Sequence, residues 1–131
     1  MPNLTVWSPR ILSILRIITA LLFMEHGLMK IAHFPAEQPG LPSPLTPLLI
    51  AAAIIEIAGG LMLTIGLFTR IVAFVCAGEM AAAYFMAHLP KSVWPAVNGG
   101  DTAIMFCFVF LYLVFAGPGE WSLDAQLRKA P

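Results

Sequence analysis

The sequence predicts an all-α integral membrane protein that forms a bundle of four transmembrane helices, and three observations support this. The composition is 60% hydrophobic and only 11% charged, which is too apolar for an ordinary soluble domain. Lysine and arginine are distributed unevenly between the two sides of the expected bundle. Four apolar runs cover most of the chain, at residues 10–30, 45–68, 71–89 and 102–116.

The length of each run fits one membrane crossing, because a transmembrane helix needs roughly 20 residues, or 17 to 25 with tilt. The chain of 131 residues is therefore expected to be a single domain with a short tail at residues 117–131. The fourth run is short. It either tilts little or borrows apolar residues from 94–97 through a broken start.

Charge placement predicts that both termini and the tail are cytoplasmic, because cytoplasmic flanks are enriched in lysine and arginine. Lys30 and Lys91 lie on the opposite side. Four basic residues lie on the cytoplasmic side, namely Arg10, Arg70, Arg128 and Lys129.

Three other interpretations of the sequence are not favoured: a nucleic-acid partner, a cleaved signal segment and redox-active cysteines. Seven acidic and seven basic residues without a basic cluster argue against a nucleic-acid partner. Arg16 interrupts the first run and three more runs follow, so this run is expected to stay in the mature protein. Cys76 and Cys107 lie within apolar runs and have no CxxC spacing, which is typical of apolar filler.

Ionisable residues inside the apolar runs are the strongest functional signal. The bilayer penalises a charge at a helix centre by at least about 2.5 kcal/mol, so such residues usually face protein and often mark function. They are Arg16, Glu25 and His26 in the first run, Glu56 in the second and Glu79 in the third.

Helical periodicity places most of these residues on protein-facing surfaces. The stripe on the first helix comprises Arg16, Thr19, Phe23, His26, Gly27 and Lys30, with Glu25 pointing away. The face on the second helix comprises Ala52, Glu56, Gly59, Gly60 and Leu63. Small residues beside Glu56 allow helices to approach closely while they bury the carboxyl group.

Depth along the helices, counted at about 1.5 Å per residue, predicts two polar layers. Four residues reach similar levels in the outward half and predict a ligand pocket that opens outward, namely His26, Glu56, His88 and Asp101. Arg16 and Glu79 lie closer to the cytoplasmic side and are expected to form a structural ion pair. Arg16 and Lys30 are also candidate ligand-binding residues.

Each candidate has a structural alternative. Arg16 either pairs with an acid or extends to the headgroups, and His26 either lines the pocket or donates one hydrogen bond to a neighbouring helix. Asp101 either reaches the pocket or serves as the N-cap of the fourth helix. The remaining polar residues near the outer interface are either solvated or part of the pocket, namely Glu25, Lys30, His33 and His88.

The sequence gives little support for a metal site or a catalytic motif. His26, Glu56, His88 and Asp101 are suitable metal-ligand types, but no spacing supports a metal site. Nucleophilic triads and phosphate loops are absent from the sequence.

The sequence has a weak internal similarity: Arg16 stands nine residues before Glu25, and Arg70 stands nine residues before Glu79. Two parallel hairpin repeats would produce this pattern. Chance similarity between apolar helices is the expected explanation.

The polar positions together resemble the DoxX family of small four-helix bacterial membrane proteins, and the resemblance covers nearly the whole chain. It rests on Arg16, His26-Gly27-x-x-Lys30, Glu56 with Gly59-Gly60, Gly66-x-x-Thr69-Arg70, Met80-x-x-Ala83 with His88, Gly99-Gly100-Asp101, and Gly117-Pro118-Gly119-x-x-Ser122-Leu123-Asp124. Asp101 stands where many members have the longer Glu, which shortens its reach.

The resemblance implies a location in the bacterial inner membrane and an association with redox biology. Relatives of this kind include the membrane subunit of thiosulfate:quinone oxidoreductase, and others are linked to oxidative-stress complexes or to assembly chaperones. We therefore expect an auxiliary redox component that has no intrinsic cofactor, holds a quinone-like molecule and receives electrons from a partner protein. The alternatives are a non-catalytic assembly or docking protein and a small-molecule exporter acting as a homo-oligomer.

Overall fold

The computed structural model describes residues 1–129, and these residues contain helices but no strands. The helix bounds are α1 (Ser8–Ile31), α2 (Pro47–Ile65), α3 (Thr69–Ala83), α4 (Pro95–Asn98), α5 (Asp101–Ala116) and α6 (Leu123–Lys129). A 3₁₀ turn (Leu4–Trp7) precedes α1, and a π-helical turn (Tyr84–His88) extends α3.

Three helices are long and apolar enough to cross a membrane, namely Leu4–Ile31, Pro47–Ile65 and Thr69–His88. The fourth apolar helix, α5, has only 16 residues. The short α4 precedes it, and the chain breaks between them at Gly99, whose φ of 73° is left-handed. The predicted broken start is therefore present.

The helices pack as two antiparallel pairs, α1 with α2 and α3 with α5. An aromatic cluster joins the pairs, because Phe23 of α1 lies edge-on to Phe106 and Phe110 of α5, with ring centroids 5.6 and 4.8 Å apart. These three rings are almost completely buried. The core therefore lies between the two pairs.

The chain connections define two ends of the bundle. At the terminal end, where the start of α1, the tail at residues 117–129 and the turn at residues 66–68 lie, the N–H of Glu120 donates to the carbonyl oxygen of Pro9 over 3.2 Å. At the loop end, residues 32–46 and 89–100 connect the helices within each pair. The start of α1 and the tail therefore lie on the same side of the bundle.

The predicted buried faces are confirmed with small differences. In α1 every residue of the predicted stripe is buried except His26, which is half-buried. In α2 the buried set is Ala53, Glu56, Gly59, Gly60 and Leu63, so Ala53 replaces the predicted Ala52.

Candidate functional site

A buried ion pair joins α1 and α2. Lys30 Nζ lies 2.8 Å from Glu56 Oε2, and the two side chains are only 8% and 3% exposed. Lys30 begins near the loop end, but helical side chains lean towards the N-terminus, so its ammonium group reaches back to the level of Glu56. The mid-helix carboxylate therefore has a direct cationic partner.

Glycines allow the neighbouring helices to close around Glu56. A Cβ on Gly27 would lie 2.8 Å from the Glu56 Cβ and 2.9 Å from the Ala53 carbonyl oxygen. A Cβ on Gly59 would lie 2.7 Å from Cys76 Sγ of α3. Because any side chain here would clash, these two glycines set the close approach of α1 and α3 to α2.

Glu79 of α3 completes what we call the acid–lysine cluster, namely Lys30, Glu56 and Glu79. Its carboxyl group lies beside that of Glu56, near enough for the two to share a hydrogen bond when one carries a proton, and within electrostatic range of Lys30. Its Oε2 atom is buried without a hydrogen-bond partner among residues 1–129. The cluster thus holds one acid more than it has bases.

His26 borders this cluster without joining the ion pair. Its carbonyl oxygen lies 3.4 Å from Lys30 Nζ. Its ring Nδ1 lies 2.8 Å from the Leu22 carbonyl oxygen, so Nδ1 donates and Nε2 is left as an acceptor. The ring also meets Phe106 edge-on at 5.6 Å. The expected bond to a neighbouring helix is thus made within its own helix.

Arg16 does not form the predicted ion pair with Glu79. Its fully buried guanidinium group donates to carbonyl oxygens instead, at 2.8 Å to Leu63 and 2.6 Å to Trp121, and also to Pro118. The depth estimate was wrong because the Glu79 carboxyl group lies at the level of Glu56, which is one layer closer to the loop end than Arg16. A cation among carbonyls at a helix C-terminus is favourable because that end carries partial negative charge.

Arg70 repeats the role of Arg16 in the second helix pair. Its Nη1 donates to the carbonyl oxygens of Val114 and Phe115, at 2.7 and 2.6 Å, at the C-terminal end of α5. Each pair thus has an arginine on its first helix that binds carbonyl oxygens near the end of its second helix. Glu79 joins the acid–lysine cluster whereas Glu25 does not, so chance similarity stays the prediction.

His88 and Asp101 are not among the residues that contact one another in the acid–lysine cluster. His88 Nδ1 lies 3.0 Å from the Asn98 carbonyl oxygen, and its ring stacks near Tyr84. Asp101 is exposed in the first turn of α5, and Gly100 is the N-cap residue. Asp101 is therefore not the expected N-cap, and ligand binding by either residue stays a prediction.

The tail fastens the terminal end of the bundle. The two carboxylate oxygens of Asp124 accept hydrogen bonds from the N–H groups of Phe68 and Thr69, both at 2.9 Å, and thereby cap the start of α3. Ser13 Oγ accepts from the Trp121 N–H at 2.9 Å. Ser122 Oγ accepts from the Ala125 N–H at 3.1 Å and caps the start of α6. Sequence reasoning missed the role of Asp124.

Comparison with known proteins gives the family. The DoxX family model matches residues 11–89, which contain Arg16 and the acid–lysine cluster. A protein of Haemophilus influenzae is 40% identical over 98% of this chain and 99% of its own length. The chain belongs to the DoxX family.

The named DoxX relatives indicate a membrane protein and give no activity. The Haemophilus protein is named only as an uncharacterized protein. The inner membrane protein YqjF of Escherichia coli is 31% identical over 87% of this chain and 89% of its own length. The uncharacterized membrane protein Rv3486 of Mycobacterium tuberculosis is 24% identical over 88% of this chain and 80% of its own. No solved structure matches the chain.

The Asp124 cap makes a testable contribution to stability. Partial burial raises the pKa of Asp124, but hydrogen bonds from the N–H groups of Thr69 and Phe68 outweigh it, so this pKa lies below its ordinary value. A lowered folded-state pKa adds stability above the unfolded pKa of about 3.9, and this stability is lost as the pH falls through the folded value.

We expect Asp124→Asn to lower the free energy of unfolding by about 1 kcal/mol at neutral pH, as loss of a helix cap does. The difference from the wild type should begin to shrink below about pH 4 and be smallest once the pH has fallen through the lower folded-state pKa, because the wild-type carboxylate is then protonated. Thermal unfolding in detergent across this range measures both effects. Glu120→Gln, which removes an exposed partner of Arg10, is the control. A difference that does not change with pH would contradict the role of the carboxylate.

Proposed function

We propose that this DoxX protein is an auxiliary component of a redox system in the bacterial inner membrane. In this proposal the acid–lysine cluster binds the polar head of a quinone-like or other amphipathic molecule. The observation that carries the proposal is the buried Oε2 of Glu79, which has no hydrogen-bond partner among residues 1–129. Buried polar atoms are almost always paired, so an unpaired one beside an ion pair suits a ligand.

The charge balance of the cluster suits proton exchange with such a ligand. Two ionised carboxyl groups and one ammonium group would leave an excess negative charge, which is costly in a low-dielectric interior. One proton on either carboxyl group removes this charge, and its O–H can turn from the neighbouring carboxylate to a quinone carbonyl when the ligand binds. His26 Nε2 offers an acceptor nearby for a hydroquinone hydroxyl group.

The exposed surface of α3 at Gly78, the residue before Glu79, offers a place for an apolar ligand tail. Gly78 is exposed on the outer surface of α3, and a Cβ there would meet nothing within 4 Å. An isoprenoid or acyl tail could therefore lie along this surface while the head reaches Glu79. Electrons must come from a partner protein, because the sequence carries no flavin, haem or iron–sulfur motif.

A structural role is the second candidate, favoured by the glycines around Glu56. Gly27, Gly59 and Gly60 let the backbones approach so closely that the Lys30–Glu56 pair alone could specify helix packing for assembly with a partner. In that case the cluster would affect stability and partner assembly, but no small molecule would bind to it.

The proposed topology has four membrane crossings with both termini in the cytoplasm. It is supported by the start of α1 and the tail up to Lys129, which lie at one end of the bundle, and by Arg10, Arg70, Arg128 and Lys129 at that same end. The break between α4 and α5 supports the fourth crossing, because α4 adds apolar length in front of the short α5.

Reporter fusions test this topology. We expect fusions within residues 35–44 and 91–100 to report a periplasmic location, and fusions at either terminus to report a cytoplasmic one. A cytoplasmic signal from either loop would contradict four crossings with cytoplasmic termini.

The ligand proposal is tested by Glu79→Leu. Leucine removes the unpaired carboxyl group and fills its place with an apolar side chain, and the remaining Lys30–Glu56 pair is charge-balanced. We expect folding to persist and the affinity for a short-chain ubiquinone to fall about tenfold, the worth of one hydrogen bond to a charged group. Equilibrium binding to protein in detergent measures the affinity.

Glu25→Leu is the matched control, because it removes a half-buried acid of α1 that is outside the cluster. We expect it to leave quinone affinity unchanged. Equal affinity in Glu79→Leu, or no saturable binding by the wild type, would contradict the ligand proposal. Mass spectrometry of small molecules retained by gently purified protein would identify a ligand other than a quinone.

A further inference from the structure

Two adjacent surface depressions lie at the terminal end, where the tail crosses α3 and α5. Their volumes are about 590 and 420 Å³, and Arg70, Pro118 and Arg128 line both. Volumes of this size suit a small-molecule group, since ligand sites are typically about 300–1,000 Å³. Two guanidinium groups thus border one continuous recess.

The acids near this recess are already engaged. The carboxylate of Asp124 accepts the N–H groups of Phe68 and Thr69. Glu120 lies 3.3 Å from Arg10. Within residues 1–129 no acidic side chain lies within salt-bridge distance of Arg70 or Arg128. Arg70, Arg128 and Lys129 line the recess together with Asp124 and Glu120, so the recess carries one more positive than negative charge.

Arg70 retains donors for a ligand. Its Nη1 group binds the two carbonyl oxygens at the end of α5, and its Nε and Nη2 groups have no acceptor within residues 1–129. A guanidinium group presents its N–H groups in a fixed fork that matches phosphate oxygens. The Nε and Nη2 groups of Arg70, which do not cap α5, are thus suited to bind a phosphate group.

An apolar border continues from the recess along α3. Ile71 and Leu127 line the recess and are 71% and 58% exposed. Phe74, one turn further along α3, is 66% exposed. Trp7 and Trp121, both half exposed at this end, are placed as interfacial anchors. A bound group could therefore extend from the arginines onto the membrane-facing surface of α3.

We propose that this recess binds the headgroup phosphate of an anionic phospholipid, with one acyl chain lying over Ile71 and Phe74. Charge complementarity accounts for the headgroup, and the exposed apolar border accounts for the chain. A free phosphate ion would use the arginines alone and would leave the border unexplained. This site is separate from the acid–lysine cluster, so it does not depend on the proposed redox role.

Arg128→Gln tests the site, because Arg128 is exposed and makes no hydrogen bond to residues 1–129, so the fold should persist. Purified protein is titrated with phosphatidylglycerol and, separately, with phosphatidylcholine, and bound lipid is counted by native mass spectrometry. We expect the wild type to prefer phosphatidylglycerol and Arg128→Gln to weaken its binding about fivefold, the contribution of one basic residue near an anionic surface. Lys91→Gln, at the loop end, should leave binding unchanged.

A border variant and a competitor complete the test. Ile71→Ser should also weaken phosphatidylglycerol binding, because it removes apolar contact with the chain, and inorganic phosphate should compete only weakly. Equal losses in Arg128→Gln and Lys91→Gln would overturn the site, since they would show a nonspecific effect of charge. Full competition by inorganic phosphate would overturn the assignment to a lipid.

Discussion

The Lys30–Glu56 ion pair is the constraint on which the rest of the bundle depends. A lysine and a carboxylate, each more than 90% buried, stay charged inside an apolar protein only if they meet directly. That contact requires α1 and α2 to cross closely, and Gly27 and Gly60 permit it by leaving no side chain between the backbones. The position of Glu79, and with it the candidate ligand site, follows from this packing.

A second group of polar contacts holds the terminal end together, and each helix pair contributes one arginine to it. Arg16 and Arg70 each bind carbonyl oxygens in the last turn of a helix. The tail adds Pro118 and Trp121 as further acceptors for Arg16, while Asp124 caps α3. The contacts of residues 117–124 therefore join the two helix pairs at this end of the bundle.

Sequence reasoning predicted the helices and the buried faces because both depend on local periodicity. It placed Glu56 against protein correctly, since small residues flank it on one helical face. It failed where a long side chain moves its charge away from its backbone: Lys30 was open to a solvated role, and Arg16 was expected to reach Glu79. Acceptors such as backbone carbonyls also leave no trace in residue identities, so neither the Arg16 site nor the Asp124 cap could be predicted.

A double-mutant cycle on Lys30→Met and Glu56→Gln tests the central ion pair most directly. Free energies of unfolding are measured in detergent for the wild type, both single variants and the double variant. Removing one partner of a buried pair typically costs about 3–5 kcal/mol because the other charge is left uncompensated. The account predicts that the double variant loses less stability than the two single losses added together, by about 1–3 kcal/mol. Additive losses would contradict it, because they would show that the two groups do not stabilise each other.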